Sequence, residues 1–325
     1  MRTHKHIAAI LATFFCYAAT AQMVDYKTDD QTKKLAPVKV GLTLAFASGN
    51  QIGAGGIVQG CLMNKLFYGV EYRKVLVRGF SNAGVAATGD LQTTQTEKSG
   101  RYMEAGAEWA IRDKMDQGKM RIVTSSNMTS ERYFHATCDL RKLITVGGGF
   151  FSYGHNYYME RDSAHYFTSG TQKLQPAQDK IFHSYISTAG FFGGVSFRKI
   201  KKAAVSSGGY RYRNFKATSW SFQVLSGPSK MQDITVGGVT YPINNANSAP
   251  LGYRVIWRAD RGPSSTCVEL GKMPHIAFSN DNLPDLSLFG PEGISSFVNH
   301  FRLSFNFILY GNDRKYGLKQ KKSKN

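Results

Sequence analysis

The residues best placed to do chemistry are charges that recur at alternate positions inside otherwise apolar runs. Glu71, Glu104 and Glu108 are the acidic members, and Arg73, Arg211, Arg213, Arg254, Arg258 and Arg302 the basic ones. In the run from Tyr253 to Arg258, Arg254 and Arg258 share one face of an extended chain while Tyr253, Val255 and Trp257 share the other. Lining a water-filled lumen, such a set would create a field that selects ions, and the excess of arginine leans toward anions. In a narrow interior the same charges would pair and fill the space. Glu71, Glu104 and Glu108 come from early runs and the arginines from 211 onward from late ones, so a closed sheet places the two sets on roughly opposite walls.

Catalytic and metal chemistry find little support. His300, Ser304 and Asn306 share a face and superficially resemble the His-Ser-Asn sets of outer-membrane phospholipases. Four residues of strand span about 13 Å, however, whereas a nucleophile must hydrogen-bond its base at about 3 Å. Glu104 and Glu108 have the same separation, beyond the range of paired glycosidase carboxylates. His135, His183 and His275 are isolated, and no nucleophile-elbow motif is present. Beyond the leader the cysteines are Cys61, Cys138 and Cys267, an odd set without metal-ligand spacing that reads as small buried strand residues. The glycine clusters at 53–56 and 147–149 lack the helix and lysine of a phosphate loop and mark bends or close packing. The expectation is a protein that is not an enzyme and carries no metal or cofactor.

The elements that position the inward charges are strands. In Phe301-Arg302-Leu303-Ser304-Phe305-Asn306-Phe307, apolar and polar residues alternate strictly, as they do where a strand separates oil from water. Runs of about ten residues cross a bilayer's hydrocarbon layer when tilted, and only a closed barrel leaves no backbone group unpaired there. Twelve candidate strands lie near 38–47, 52–62, 66–77, 101–111, 119–126, 131–139, 143–153, 181–198, 208–225, 251–260, 265–276 and 297–310. The expected fold is all-β, an antiparallel transmembrane β-barrel of about twelve strands. Ten is the alternative count, reached if the weak fifth and sixth candidates, 119–126 and 131–139, are one long strand with its neighbours shifted. A soluble β-sandwich is the competing architecture, because alternation also suits a half-buried sheet.

Residues 1–21 have the form of a secretory signal peptide: Arg2 and Lys5, an apolar core from Ile7 to Ala19, and the small-residue site Ala19-Thr20-Ala21. The expected organisation is a signal at 1–21, a periplasmic segment at 22–36, the barrel over 37–310 and a basic periplasmic tail at 311–325. Of the net charge of +19, one cluster falls at Lys199, Lys201 and Lys202 and another at Arg314, Lys315, Lys319, Lys321, Lys322 and Lys324. No nucleic-acid motif accompanies them, so they read as contacts to lipid headgroups or to an envelope protein partner, not to nucleic acid.

The signal, the alternating strands and the closing aromatic strand together resemble the outer-membrane β-barrels of Gram-negative bacteria, particularly of the Bacteroidota type. That resemblance implies export to the outer membrane and contact with its lipids. Two functional expectations follow. One is a passive or solute-selective pore with an anion-leaning lumen. The other is a non-conducting component of an outer-membrane complex, such as a secretion or surface-assembly system.

Overall fold

The computed structural model describes residues 27–30, 35–47, 51–77, 90–91, 100–126, 131–159, 168–169, 171–173, 180–207, 210–236, 238–242, 246–278, 300–310 and 319–321. The signal segment and most of the basic tail lie outside them. Ten strands form a closed antiparallel barrel: β1 (Lys39–Ala47), β2 (Gln51–Leu62), β3 (Leu66–Val77), β4 (Arg101–Ser126), β5 (Glu131–Met159), β6 (Lys180–Ser207), β7 (Tyr210–Ser226), β8 (Leu251–Arg261), β9 (Ser264–Lys272) and β10 (His300–Tyr310). Each pairs with the next in sequence, and β10 closes the ring on β1 through pairs such as Phe305 with Leu44. Lys27–Asp30 adds one further short strand, antiparallel to 203–206 of β6.

The expected twelve strands are therefore ten. Candidates 101–111 and 119–126 are one continuous strand, as are 131–139 and 143–153. The polar stretches between them do not turn; Lys114 pairs with Lys142 and Gln117 with Asp139. Here the loss of alternation marks the rim of the barrel, beyond which both strands run on into solvent. With these strands merged, the connections 63–65, 127–130, 208–209 and 262–263 all lie at one end and are short, while the four long connections lie at the other.

The wall is inverted relative to a water-soluble core. Along β1, Val40, Leu42, Leu44 and Phe46 are exposed on the outside, whereas Gly41, Thr43 and Ala45 are buried inside. Leu42 is 55% exposed and Thr43 2%. The same holds around the ring: Trp109, Phe191, Trp220, Val224, Tyr253 and Phe307 face out, and Glu71, Arg254, Glu269, Arg302 and Asn306 are buried within. This is the distribution expected when the outer surface meets hydrocarbon.

Small residues let the interior fill. A Cβ on Gly149 would lie 2.1 Å from the Ala105 carbonyl oxygen and 2.8 Å from Cζ of Phe192, and one on Gly106 would lie 2.7 Å from that same Cζ. The glycines at 106 and 149 therefore form the bed on which the Phe192 ring lies, the close packing that the 147–149 cluster announces.

Past the short-turn rim, the β4–β5 and β6–β7 hairpins extend as a lobe with its own core of Met120, Ile122, Ala136, Cys138, Ala203 and Val205. A bulge at Ile111, between Ala110 and Arg112, marks where β4 leaves the barrel. Asn214 donates to the Arg121 carbonyl at 2.9 Å and Lys201 to the Lys119 carbonyl at 3.0 Å, tying the hairpins together. Lys319–Lys321 pairs with 210–212 on the β7 side.

Candidate functional site

The interior is layered along its axis. Toward the long loops, Phe151, Phe192, Leu225 and Met273 form an apolar layer with Tyr153 packed on it. Toward the short turns, Cys61, Phe67, Ala110, Leu143, Ile200 and Phe215 form a second. Buried charges lie between them.

The main network begins with a cross-strand conflict. Glu71 on β3 and Glu104 on β4 are register partners on the same inward face, and like charges so placed repel. Three guanidiniums resolve it. Arg73 Nε lies 2.8 Å from Glu71, and Arg302 reaches Glu71 at 3.7 Å and its own register partner Glu269 at 2.7 Å. Arg254 Nη1 donates across the lumen to Glu104 at 2.7 Å and to Glu269 at 2.9 Å. Its Nε donates to Gln223 at 2.6 Å. Tyr102 donates its hydroxyl proton to Glu104, and its ring has the Arg73 guanidinium at 4.1 Å and that of Arg302 at 4.9 Å. Three carboxylates face three guanidiniums, so their charges balance, and His300 lies 3.4 Å from Glu269. Arg254 and Glu269 are fully buried, a state tolerated only when charge and hydrogen bonds are both matched.

Below this layer is a cavity of about 170 Å³ of mixed lining, with Lys39, Gln59, Glu108, Arg198 and Arg258 beside apolar residues such as Ile57 and Phe215. Arg198 pairs with Glu108 at 2.7 Å, and Glu108 also accepts from Thr145 at 2.6 Å and Ser196 at 3.0 Å. Arg258 donates to Gln59 at 3.0 Å. At the short-turn end, fully buried Arg141 grips Asp113 through both carboxylate oxygens, at 3.0 and 2.7 Å, and donates to the Asn64 carbonyl at 2.6 Å. That last bond holds the β2–β3 turn, where Met63 and Asn64 adopt left-handed φ angles of 49° and 57°.

Of the expected lumen residues, Glu71, Arg73, Glu104, Glu108, Arg254, Arg258 and Arg302 all come from inward positions. Arg254 and Arg258 on β8 do lie across the ring from Glu71, Glu104 and Glu108, but Arg73 shares β3 with Glu71 and Glu269 stands on β9 among the arginines, so the charges are paired rather than segregated. Arg211 and Arg213 are a correction: they lie where β7 runs past its last partner pair with β8, Lys216 with Arg261, and so belong to the lobe; their side chains are outside the described residues. Glu269 was missed, although it stands between Val268 and Leu270 just as Arg254 stands between Tyr253 and Val255; the polar Ser264, Thr266 and Lys272 around it blur the alternation. Glu104 and Glu108 hold separate arginines, and His300 binds Glu269 while Ser304 pairs in register with Cys267, so neither candidate catalytic pair assembles. Among the described residues no group of three His, Cys, Asp or Glu is placed to hold a metal ion. Cys61, Cys138 and Cys267 are buried free thiols.

The basic cluster on β6 divides. Lys199 is exposed on the outer face and Lys201 partly so, but Lys202 is 3% exposed and cannot belong to an outer contact surface. Of the tail cluster, the backbone of Lys319 and Lys321 is described as a strand; Arg314, Lys315, Lys322 and Lys324 lie outside the described residues. No protein-family model matches the chain, and no curated protein sequence does either.

Proposed function

We propose that this protein is an outer-membrane β-barrel with a closed lumen, a non-conducting and non-enzymatic component of the cell envelope that works through its surfaces. The observation that carries this reading is the neutral Arg73–Glu71–Arg302–Glu269–Arg254–Glu104 network, which crosses the interior between two apolar layers. An ion entering this path would have to break pairs whose desolvation has already been compensated. The exposed apolar wall supports the membrane location, and the lobe and long loops are the surfaces left for envelope partners. Export through the signal at 1–21 completes the reading.

The anion-leaning pore is the second reading, favoured by the cavity that Arg198 and Arg258 line. Conductance across a planar bilayer separates the two. Protein shown to be folded and inserted should give no discrete steps; anion-selective steps, reversed or weakened on replacing Arg254 and Arg258 by glutamate, would establish the pore instead.

A further inference from the structure

The outer face at the short-turn rim carries an ordered set of side chains that the filled interior does not use. Phe197, Trp220 and Trp257 are register neighbours on β6, β7 and β8. Trp109, on β4, lies one outward row further into the barrel, in line with Val146 and Val195. All three tryptophans of the chain are thus gathered within two adjacent outward rows at one rim.

Cations follow immediately. The next outward row toward the short turns holds Lys114, Lys142 and Lys199, paired in register across β4, β5 and β6. The row after that holds Lys201, Lys216 and Arg261 across β6, β7 and β8. Lys114, Lys142, Lys199, Lys216 and Arg261 are exposed. Like charges directly opposite one another are destabilising unless a counter-charge is supplied. The chain supplies one acid in these rows, Asp116, at 2.7 Å from Lys142 and 3.3 Å from Lys114. Hydrogen bonds from these two ammoniums, Lys142 first, hold its carboxyl below the usual carboxylate range. Lys199, Lys216 and Arg261 have no acid in register beside them.

We propose that this rim is a binding belt for anionic phospholipid, with headgroup phosphates as the missing counter-charges. The inference rests on the reading of the barrel as membrane-spanning. Alternate residues are about 7 Å apart along a strand, and less along the membrane normal because barrel strands tilt. The two cationic rows therefore fall within the headgroup layer if the aromatic row marks the hydrocarbon boundary, where tryptophan concentrates. A soluble acidic partner would not require cations to sit directly under an aromatic row.

The tryptophans make the belt directly measurable. The full-length protein is inserted into bilayers of phosphatidylcholine and phosphatidylglycerol, and tryptophan quenching by brominated forms of each lipid gives their relative affinity at the rim. Wild type should favour phosphatidylglycerol several-fold, and the preference should vanish in the combined Lys142→Gln, Lys199→Gln, Lys216→Gln variant. Equal quenching of wild type by both lipids would overturn the belt while leaving the membrane-spanning reading intact. Absence of quenching by either lipid, with release of the protein by carbonate, would instead sink the spanning reading itself. Should the variant fail to insert, a salt titration of wild type decides: the preference must fade as ionic strength rises toward about 1 M, and a preference unchanged by salt refutes a phosphate contact.

Discussion

At the residue scale, Arg254 is the side chain on which the interior turns. It is fully buried, bonds Glu104 and Glu269 on strands from opposite arcs, and lies 4.8 Å from the Phe192 ring centroid. Removing it leaves two carboxylates without their shared cation. Breaking a buried ion pair from one side costs about 3 to 5 kcal/mol, so Arg254→Met should lower the urea midpoint of the folded barrel by a corresponding amount. Adding Glu104→Gln to that variant should recover part of the loss, because Glu104, unlike Glu269 with Arg302 at 2.7 Å, has then lost its guanidinium. A variant as stable as wild type would show that the network does not hold the lumen shut. Arg254 was visible in the sequence as an inward charge, but its partners were not, since Glu104 is separated from it by 150 residues.

At the element scale, the strands obey alternation, and the consequence is testable on β10. Leu303 faces outward opposite Val268 and Phe46, while its neighbour Ser304 is buried inside. Leu303→Arg should destabilise the barrel by about 2 to 4 kcal/mol if the site meets the bilayer midplane, as measured by unfolding from lipid vesicles. In a water-soluble sheet the same change at an outer position would be nearly neutral, so the size of the effect separates the two environments. Alternation fixes faces but not strand ends. The residues at 112–118 and 140–142 have the composition of turns yet pair throughout, because a strand that runs past the barrel rim loses its apolar outer face without changing its backbone.

At the scale of the whole molecule, the barrel and the lobe are one continuous sheet with different surroundings. Deleting 311–325 removes the strand Lys319–Lys321 from the edge of β7 but leaves all ten barrel strands in place. Insertion should be unchanged, whereas deuterium exchange at Tyr210 to Tyr212 should accelerate; if exchange there is unaltered, the tail does not cover that edge in solution.

Local residue pattern was enough to determine an all-β chain, the inward and outward faces of most strands, and the presence of charges such as Glu71, Glu104 and Arg302 inside. Period-two alternation is written residue by residue, so it survives in the sequence. Tertiary structure alone decided that the strands number ten, that Arg211 and Arg213 belong to the lobe, that Lys202 is buried, and that the inward charges pair across the interior. Each of these depends on which distant strands become neighbours and how far a long side chain must reach across the space between them. Those distances are set by closure of the ring, and no local pattern encodes them.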